Sequence, residues 1–339
     1  MFRRLRHCLW ISAATIVIGC SGDEPPAVDL SGVWIGSVSL SDGSGRIMLD
    51  LRQTDGDVVG GVELVASSNV GVTCLGHVHG YSLELAPNNA DDRITADESA
   101  GTLTGSIDSG DISATWTATR LETYELAVAA TYPALGQIPE AVVAQGGHLW
   151  FYDGYDSTLH ERGPQGEALS VLSLTINHHC DAGFDGCGDA LACSSSTTQT
   201  IDRLDPETGA ILSEVPRTDH RQPGLACASD GTFWVDDAST LAHLDASGAV
   251  LTEFAVPGMP TDVAFDGTDP LVLMSFPHVV LRLNATTGAP LAAYEIPGYA
   301  WSAQELIRGV SFDGETLWTL VDSYKNGGTS SVALGLTLP

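Results

Sequence analysis

Short runs in which apolar and polar residues alternate fill much of the first third of the chain. In "SGVWIGSVSL" (31–40), Trp34 and Val38 fall on one face of such a run. In "RIMLDLRQTDGDVVGGVEL" (46–64), the alternation continues on both sides of an Asp-Gly pair, which is typical of a hairpin turn. The pattern predicts seven or eight short strands in neighbour order between residues 29 and 122, forming a small antiparallel meander barrel or sandwich.

From residue 123 onward, the alternation becomes a repeat. Its marker residues lie between 38 and 46 residues apart: Leu149, Leu191, Phe233, Leu271 and Leu317. Each repeat predicts four strands, which we label A to D, and four strands in about 40 residues is the unit of a β-propeller. The last repeat lacks strand D, and "YELAVAATYP" (124–133) is predicted to supply it, which closes the ring.

The predicted fold class is therefore all-β: the small meander barrel, followed by a five-bladed β-propeller over residues 123–339. Six blades are the alternative, and they would require a degenerate blade that the repeat does not show.

The N-terminus has the features of a secretory signal. A basic start at residues 3–6 precedes an apolar stretch too short to span a membrane, and "VIGC" (17–20) ends it. This ending resembles a bacterial lipobox. The resemblance implies a signal peptide over residues 1–19, a lipidated Cys20 with a linker to residue 28, and anchoring to the bacterial outer membrane.

The charge of the chain excludes some partners. With 43 acidic and 14 basic residues, the formal net charge is −29. Such a charge argues against binding to nucleic acid. The sequence contains no calcium-binding loop of the D-x-D-x-D-G type. We predict no cofactor and no metal, with structural calcium as an alternative.

Two resemblances concern the domains themselves. The "G-x-W-x-G … L-x-L-x-Q-x-x-G" pattern of the first domain resembles lipocalin-like and avidin-like barrels. The "FDG-x-x-LW" and "LD-x-x-TG" turns of the repeat resemble the NHL/YVTN-like and glutamine cyclotransferase-like propellers. The cyclotransferase resemblance would place Asp153 at a glutamate position, but the Thr-Gln-Gly segment of that family is missing, so its activity is not carried over.

Propeller geometry separates two faces. The A–B and C–D turns, such as "FDG" (184–186 and 265–267) and "DPETG" (205–209), lie on one face, which we call the turn face. The D–A and B–C loops lie on the opposite face, the loop face. Because these loops are irregular and rich in aromatic and charged residues, we predict a binding rim on the loop face. It consists of Tyr152, Asp153, Tyr155, His178, His179, Asp219, His220, Arg221, Asp237, His278, Trp301, Glu305, Arg308 and Asp322.

Two functions follow from different classes. The first is a membrane-anchored lipoprotein whose loop face binds an envelope or extracellular protein, a peptide, a glycan or a small molecule. The alternative is an extracytoplasmic propeller enzyme of the lyase or glutaminyl cyclotransferase kind. The sequence favours the binding protein, because it contains no readable catalytic motif.

The cysteines of "INHHCDAGFDGCGDALAC" (176–193) lack the spacing of a zinc site. In an oxidising compartment they are expected to form disulfide bonds. We predict that Cys180 pairs with Cys187 and Cys193 with Cys227, with the connectivity open, and that Cys74 stays unpaired and buried.

Overall fold

The computed structural model describes residues 27–339, except 42, 66–68, 88–91, 110–111, 137, 175–179, 181–182, 196–197, 218–223, 238, 275, 299–304 and 326–327. The described residues form strands and turns, and none of them belongs to a helix that is long and apolar enough to cross a membrane. The predicted signal peptide and Cys20 lie outside the described residues.

The first eight strands form a closed antiparallel barrel, in which each strand pairs with the next and β8 pairs back with β1. They are β1 (Gly32–Leu40), β2 (Gly43–Thr54), β3 (Asp57–Val65), β4 (Asn69–His79), β5 (Ser82–Pro87), β6 (Arg93–Ser99), β7 (Thr102–Ser109) and β8 (Ile112–Arg120). The meander barrel is thus confirmed. Alternate residues fill its interior, including the buried rings of Trp34 and Trp116.

Glycine allows the barrel strands to approach closely. A Cβ atom added at Gly36 would lie 1.7 Å from the carbonyl oxygen of Thr117 on β8, and one at Gly76 would lie 1.9 Å from the carbonyl oxygen of Glu84. No side chain fits at these distances, so the curvature of this small barrel depends on glycine at both positions.

Five four-stranded antiparallel units follow, and they confirm the five-bladed propeller. Blade 1 consists of β11 (Pro139–Gln145), β12 (His148–Asp153), β13 (Thr158–Arg162) and β14 (Ala168–Ser173). Blade 2 consists of β15 (Gly183–Cys187), β16 (Ala190–Ser195), β17 (Thr200–Leu204) and β18 (Ile211–Pro216). Blade 3 consists of β19 (Leu225–Cys227), β20 (Phe233–Asp237), β21 (Thr240–Leu244) and β22 (Val250–Ala255). Blade 4 consists of β23 (Pro260–Phe265), β24 (Pro270–Met274), β25 (Val279–Leu283) and β26 (Pro290–Glu295). Blade 5 consists of β27 (Glu305–Phe312), β28 (Thr316–Lys325), β29 (Gly328–Thr337) and β10 (Ala127–Pro133).

The two ends of the propeller segment meet in blade 5, as predicted. Strand β10 pairs antiparallel with β29, with Tyr132 opposite Ala333. The predicted outer strand began too early, however. Residues 123–125 form a separate strand, β9 (Thr123–Glu125), which pairs in parallel with β26 at the outer edge of blade 4. The chain therefore crosses the edge of blade 4 after it leaves the barrel.

The barrel and the propeller share an apolar core. Val33 and Met48, on the outer wall of the barrel, are fully buried in one cluster with Val256, Met274 and Val279 of blades 3 and 4. Burial of this kind is the dominant stabilising term in association. The two units are therefore packed against each other.

Polar contacts surround this shared core. The Arg52 guanidinium lies 3.1 Å from the Glu295 carboxylate, and the Met259 amide donates to the buried Glu63 carboxylate at 3.1 Å. Arg46 donates to the Ser239 carbonyl oxygen at 3.2 Å. Ser239, Met259 and Glu295 all lie at the loop-face ends of blades 3 and 4, so the barrel covers part of the loop face.

The disulfide bonds are confirmed, but the predicted pairing is wrong: Cys180 pairs with Cys193, and Cys187 pairs with Cys227. "FDG" (184–186) lies inside β15 rather than in a turn, and the turn follows at Gly188. Cys193 pairs with Phe184 in the sheet, three residues from Cys187 along β15.

Because neighbouring side chains on a strand point to opposite faces, Cys193 faces blade 1 and Cys187 faces blade 3. Only Cys187 can therefore reach Cys227 of blade 3. Cys74 is unpaired and buried, as predicted, and burial raises the pKa of its thiol to about 12.

Peptide mapping under non-reducing conditions tests this connectivity. Cleavage on the N-terminal side of every aspartate places the four cysteines in four different peptides. We expect the peptide that ends at Cys180 to be linked to the one that contains Cys193, and the Cys187 peptide to the Cys227 peptide. A link between the Cys180 and Cys187 peptides in unreduced, alkylated protein would contradict the structure.

Candidate functional site

Among the described residues of the predicted rim, several are buried rather than exposed at the surface. Tyr152, Asp153, His278 and Asp322 are buried, Asp237 and Arg308 are half-buried, and Tyr155 is exposed. Glu305 begins β27. Six of the predicted residues lie outside the described residues: His178, His179, Asp219, His220, Arg221 and Trp301.

The buried members of the rim make contacts within the blades. The Asp153 carboxylate accepts the amides of Ile138 at 3.2 Å and Tyr155 at 2.8 Å, and therefore holds the loop-face end of blade 1. The Tyr152 ring stacks on Phe184 of blade 2, with ring centroids 6.3 Å apart. The sequence predicts Tyr152 and Asp153 as binding residues, but in the structure their contacts stabilise the packing of the blades.

Asp322 has a charged partner on the neighbouring strand. The Arg308 guanidinium on β27 lies 2.7 Å from its carboxylate on β28. This ion pair joins two of the predicted rim residues within blade 5.

Asp153 also forms part of a group of three potential metal ligands. One ligand atom each from Asp153, Asp156 and His160 lie within 4.8 Å of one another. The Thr158 hydroxyl sits between the last two, bonded to the Asp156 carboxylate and 2.9 Å from His160 Nε2. Hydrogen bonds alone thus account for the closeness of Asp156 and His160.

A wide cavity of about 600 Å³ opens at one end of the barrel, next to the residue where the described chain begins. His77 and His79 line it, with ring centroids 6.2 Å apart, and His77 Nδ1 lies 2.7 Å from the Asp57 carboxylate. Asp57 thus gives His77 a hydrogen-bond partner on the surface of the barrel.

The propeller axis contains carboxyl groups that the sequence did not reveal. Strand A of each blade is a sheet edge that faces the axis, so its outward amides need acceptors. Asp262 accepts the Leu225 amide of blade 3 at 3.2 Å and the Val310 amide of blade 5 at 2.8 Å. Asp185 accepts the Cys227 amide at 2.9 Å and the Ser311 hydroxyl at 3.0 Å. Two carboxyl groups therefore link the inner edges of four blades.

Burial strongly perturbs these groups. Desolvation raises the pKa of Asp185 from 3.8 to about 7, against the opposing effect of its hydrogen bonds. Desolvation, and then the neighbouring Asp236, raises the pKa of Asp262 well above its usual value. Perturbed carboxyl groups occur at functional sites, but here the backbone hydrogen bonds give them a structural role.

The pKa of Asp185 predicts the direction of a pH effect on stability. Between about pH 4 and 7, the folded chain retains a proton on Asp185 that the unfolded chain has lost. This term makes the free energy of unfolding fall as the pH rises through that window, by at most about 1.4 kcal/mol per pH unit. In Asp185→Asn the amide stays neutral and keeps an acceptor, so we expect a shallower fall.

Denaturant unfolding between pH 4 and 8 measures this effect. Asp55→Asn is the matched control, because Asp55 is an exposed turn residue at a φ of 51° that asparagine also adopts. Parallel pH profiles for Asp185→Asn and the unaltered chain would show that Asp185 does not titrate in this way.

The turn face carries a groove on both sides of the turn between β11 and β12. A cavity of about 480 Å³ lies between blades 1 and 2, lined by Gln145, Gly146, His148, Trp150, Glu161, Ser170, Gly188, Asp189, Pro206 and Glu207. A cavity of about 170 Å³ lies between blades 5 and 1, lined by Tyr132, Ala144, Gln145, Gly147, His148, Leu149, Gly163, Pro164, Asp313 and Trp318. The two share Gln145 and His148, and we call them together the turn-face groove.

Neighbouring blades hold the groove in place. The Gln145 side chain donates to the carbonyl oxygens of Gly188 at 2.7 Å and Ala190 at 2.9 Å, which ties the β11–β12 turn to blade 2. On the other side, Trp318 stacks on Tyr132 with ring centroids 5.9 Å apart, and its Nε1 donates to Asp313 at 2.9 Å.

A polar set lies in the larger cavity. One oxygen of the Glu161 carboxylate lies 2.7 Å from His148 Nδ1, and the other accepts the Ser170 hydroxyl at 2.7 Å. In a hydrolase triad the histidine stands between serine and carboxylate. Here the carboxylate stands between them, so these three residues do not form a nucleophilic triad.

The chain is similar to solved proteins at low sequence identity. Glutaminyl cyclase from Myxococcus xanthus is matched with a TM-score of 0.50 and 13% identity, over 65% of this chain and all of that one. A tail fibre of Staphylococcus aureus phage P68 is matched with a TM-score of 0.46 and 10% identity, over 64% of this chain and 53% of the fibre. Virginiamycin B lyase from Staphylococcus aureus gives 0.38 and 15%, over 85% and 94%. The likeness to the cyclase shows the propeller fold alone.

No protein-family model matches the chain, and no curated protein sequence matches it.

Sequence reasoning missed both the axial carboxyl groups and the groove. The repeat pattern predicts a turn at "FDG" (184–186), whereas the structure places Asp185 inside the inner strand β15. In the observed register it occupies the position of Val143 in blade 1 and Val263 in blade 4. A polar residue at that apolar position was the available signal. The groove has no such signal in the sequence, because its residues come from three different blades.

Proposed function

We propose that this chain is an envelope-anchored lipoprotein that binds a protein partner through the turn-face groove of its propeller. The anchor rests on the resemblance of residues 17–20 to a lipobox, and the binding role rests on the groove. The observation that carries the binding role is the pair of adjoining cavities around the β11–β12 turn.

The turn face suits a partner better than the loop face for a physical reason. The barrel packs over the loop-face ends of blades 3 and 4, where Asp237 and His278 of the predicted rim lie. A partner that approaches the turn face meets no such obstacle among the described residues. The turn-face groove combines aromatic walls with carboxylates, a mixture that is typical of binding sites.

No contact among the described residues favours the lyase or cyclotransferase alternative. Asp153, which that resemblance places at a glutamate position, is fully buried and accepts two backbone amides. A general base must reach the proton that it removes. The binding role therefore stands as the proposal.

Fractionation of cells tests the anchor. We expect the full chain to sediment with the outer membrane and to dissolve in detergent, whereas Cys20→Ser should be recovered without lipid. Ser21→Ala is the control, because it leaves the thiol in place. Membrane association that is unchanged in Cys20→Ser would rule out a lipid on this residue.

Site-specific photo-crosslinking tests the binding surface. A photoreactive residue at Glu207, which lines the groove, should capture a defined protein in cells that produce the chain. The same residue at Glu214, an exposed position on β18, is the matched control. Equal capture from both positions, or none from Glu207, would contradict a partner in the groove.

A further inference from the structure

We propose that the larger cavity of the turn-face groove binds an arginine or lysine side chain, and that the partner therefore presents a basic, extended peptide segment. This inference rests on the proposed function and names the ligand class of the same site.

Acidic residues outnumber basic ones in the lining of the groove: His148 lies 2.7 Å from Glu161, and Arg203, outside the lining, lies 4.0 Å from Asp189. Glu161, Asp189 and Glu207 line the larger cavity, and Asp313 lines the smaller one. No lysine or arginine is among the described residues that line either cavity. Like charges that face a cavity raise the local concentration of ions of the opposite sign, and the formal net charge of −29 adds to this field.

The carboxylates differ in depth, which suits a long cationic side chain. The Glu161 side chain is 16% exposed at the base of the cavity, whereas Asp189 is fully exposed at its mouth. A carboxylate at the base of a cavity attracts a charged head group more strongly than one in open water, because the local dielectric constant is lower. The exposed carboxylates would attract the ligand first. Each Glu161 oxygen already has one partner, His148 or Ser170, and its second lone pair would then hold the charged end of the ligand.

The larger cavity also has an apolar wall that suits the methylene groups of a lysine or arginine side chain. Trp150 lines the same cavity and is almost fully buried, so its position is fixed by packing. Lysine and arginine carry three or four methylene groups below the charged head, and these pack along aromatic surface. A guanidinium already lies beside an aromatic ring in this region: Arg162 is 5.8 Å from the ring centre of Tyr132.

The geometry also argues for a peptide rather than a single amine. The groove continues from the larger cavity past His148 into the smaller one. An extended peptide places alternate side chains on one side, so one chain can fill both cavities. The hydrogen bonds of Gln145 to blade 2 hold the dividing turn in place, which reduces the ordering cost of binding.

The test is fluorescence anisotropy with labelled eight-residue peptides of alternating arginine and alanine, or glutamate and alanine, added to the full chain in detergent. We expect the arginine peptide to bind and the glutamate peptide not to bind. Glu161→Gln with Asp189→Asn should weaken binding at least tenfold. The matched control is Glu214→Gln with Glu253→Gln, which removes two charges from exposed positions outside the groove and should change affinity less than twofold.

The control separates a site from the general acidic field. Equal weakening by the two double variants would overturn the proposal, because only net charge would then matter. Should Glu161→Gln fail to fold, as judged by circular dichroism, Asp189→Asn with Glu207→Gln replaces it, since both residues are exposed.

A second readout separates this inference from the proposed function. If the arginine peptide prevents capture by the photoreactive residue at position 207, the partner uses the basic-side-chain site. If capture persists at saturating peptide, or if a neutral sugar prevents it instead, the ligand class is wrong while the binding surface stands.

Discussion

The propeller depends on hydrogen-bond acceptors for the backbone amides at the inner edges of its blades. Every blade ends at the axis in a strand with one free edge, and a buried amide without an acceptor costs about 1–3 kcal/mol. Asp185 and Asp262 provide acceptors that reach across the axis, from blades 2 and 4 to blades 3 and 5. The cost is the burial of two carboxyl groups, which explains why their pKa values rise. In this ring each of the two aspartates contacts two other blades.

The second constraint is the contact between barrel and propeller. Because Val33 and Met48 project from the outside of the barrel, this wall is apolar and needs cover. The loop-face ends of blades 3 and 4 provide it, and β9 extends the contact along the edge of blade 4. The same packing that stabilises the two units also decides which face of the propeller is covered, and hence where a partner has access.

In the cysteine-rich segment, a shift of one residue in the strand register changes which cysteines can pair. The composition and spacing were enough to predict disulfide bonds rather than a zinc site. The pairing needed the exact end of β15, because a shift by one position turns every side chain to the other face. With Cys187 as the last residue of the strand, its thiol faces blade 3, and the bond to Cys227 joins two blades rather than closing a short loop.

The sequence by itself determined the local structure of this protein: the period-two strands, their Asp-Gly turns, the repeat of about 40 residues, and the completion of blade 5 by residues from the start of the repeat. These features are local or periodic, so a single chain displays them directly. Only the tertiary structure decided that Asp185 and Asp262 meet the edges of other blades, that the barrel covers the loop face, and that His148, Trp150 and Trp318 come together around one turn. Such contacts join residues that are far apart along the chain, and no local pattern encodes which distant strand a side chain will face.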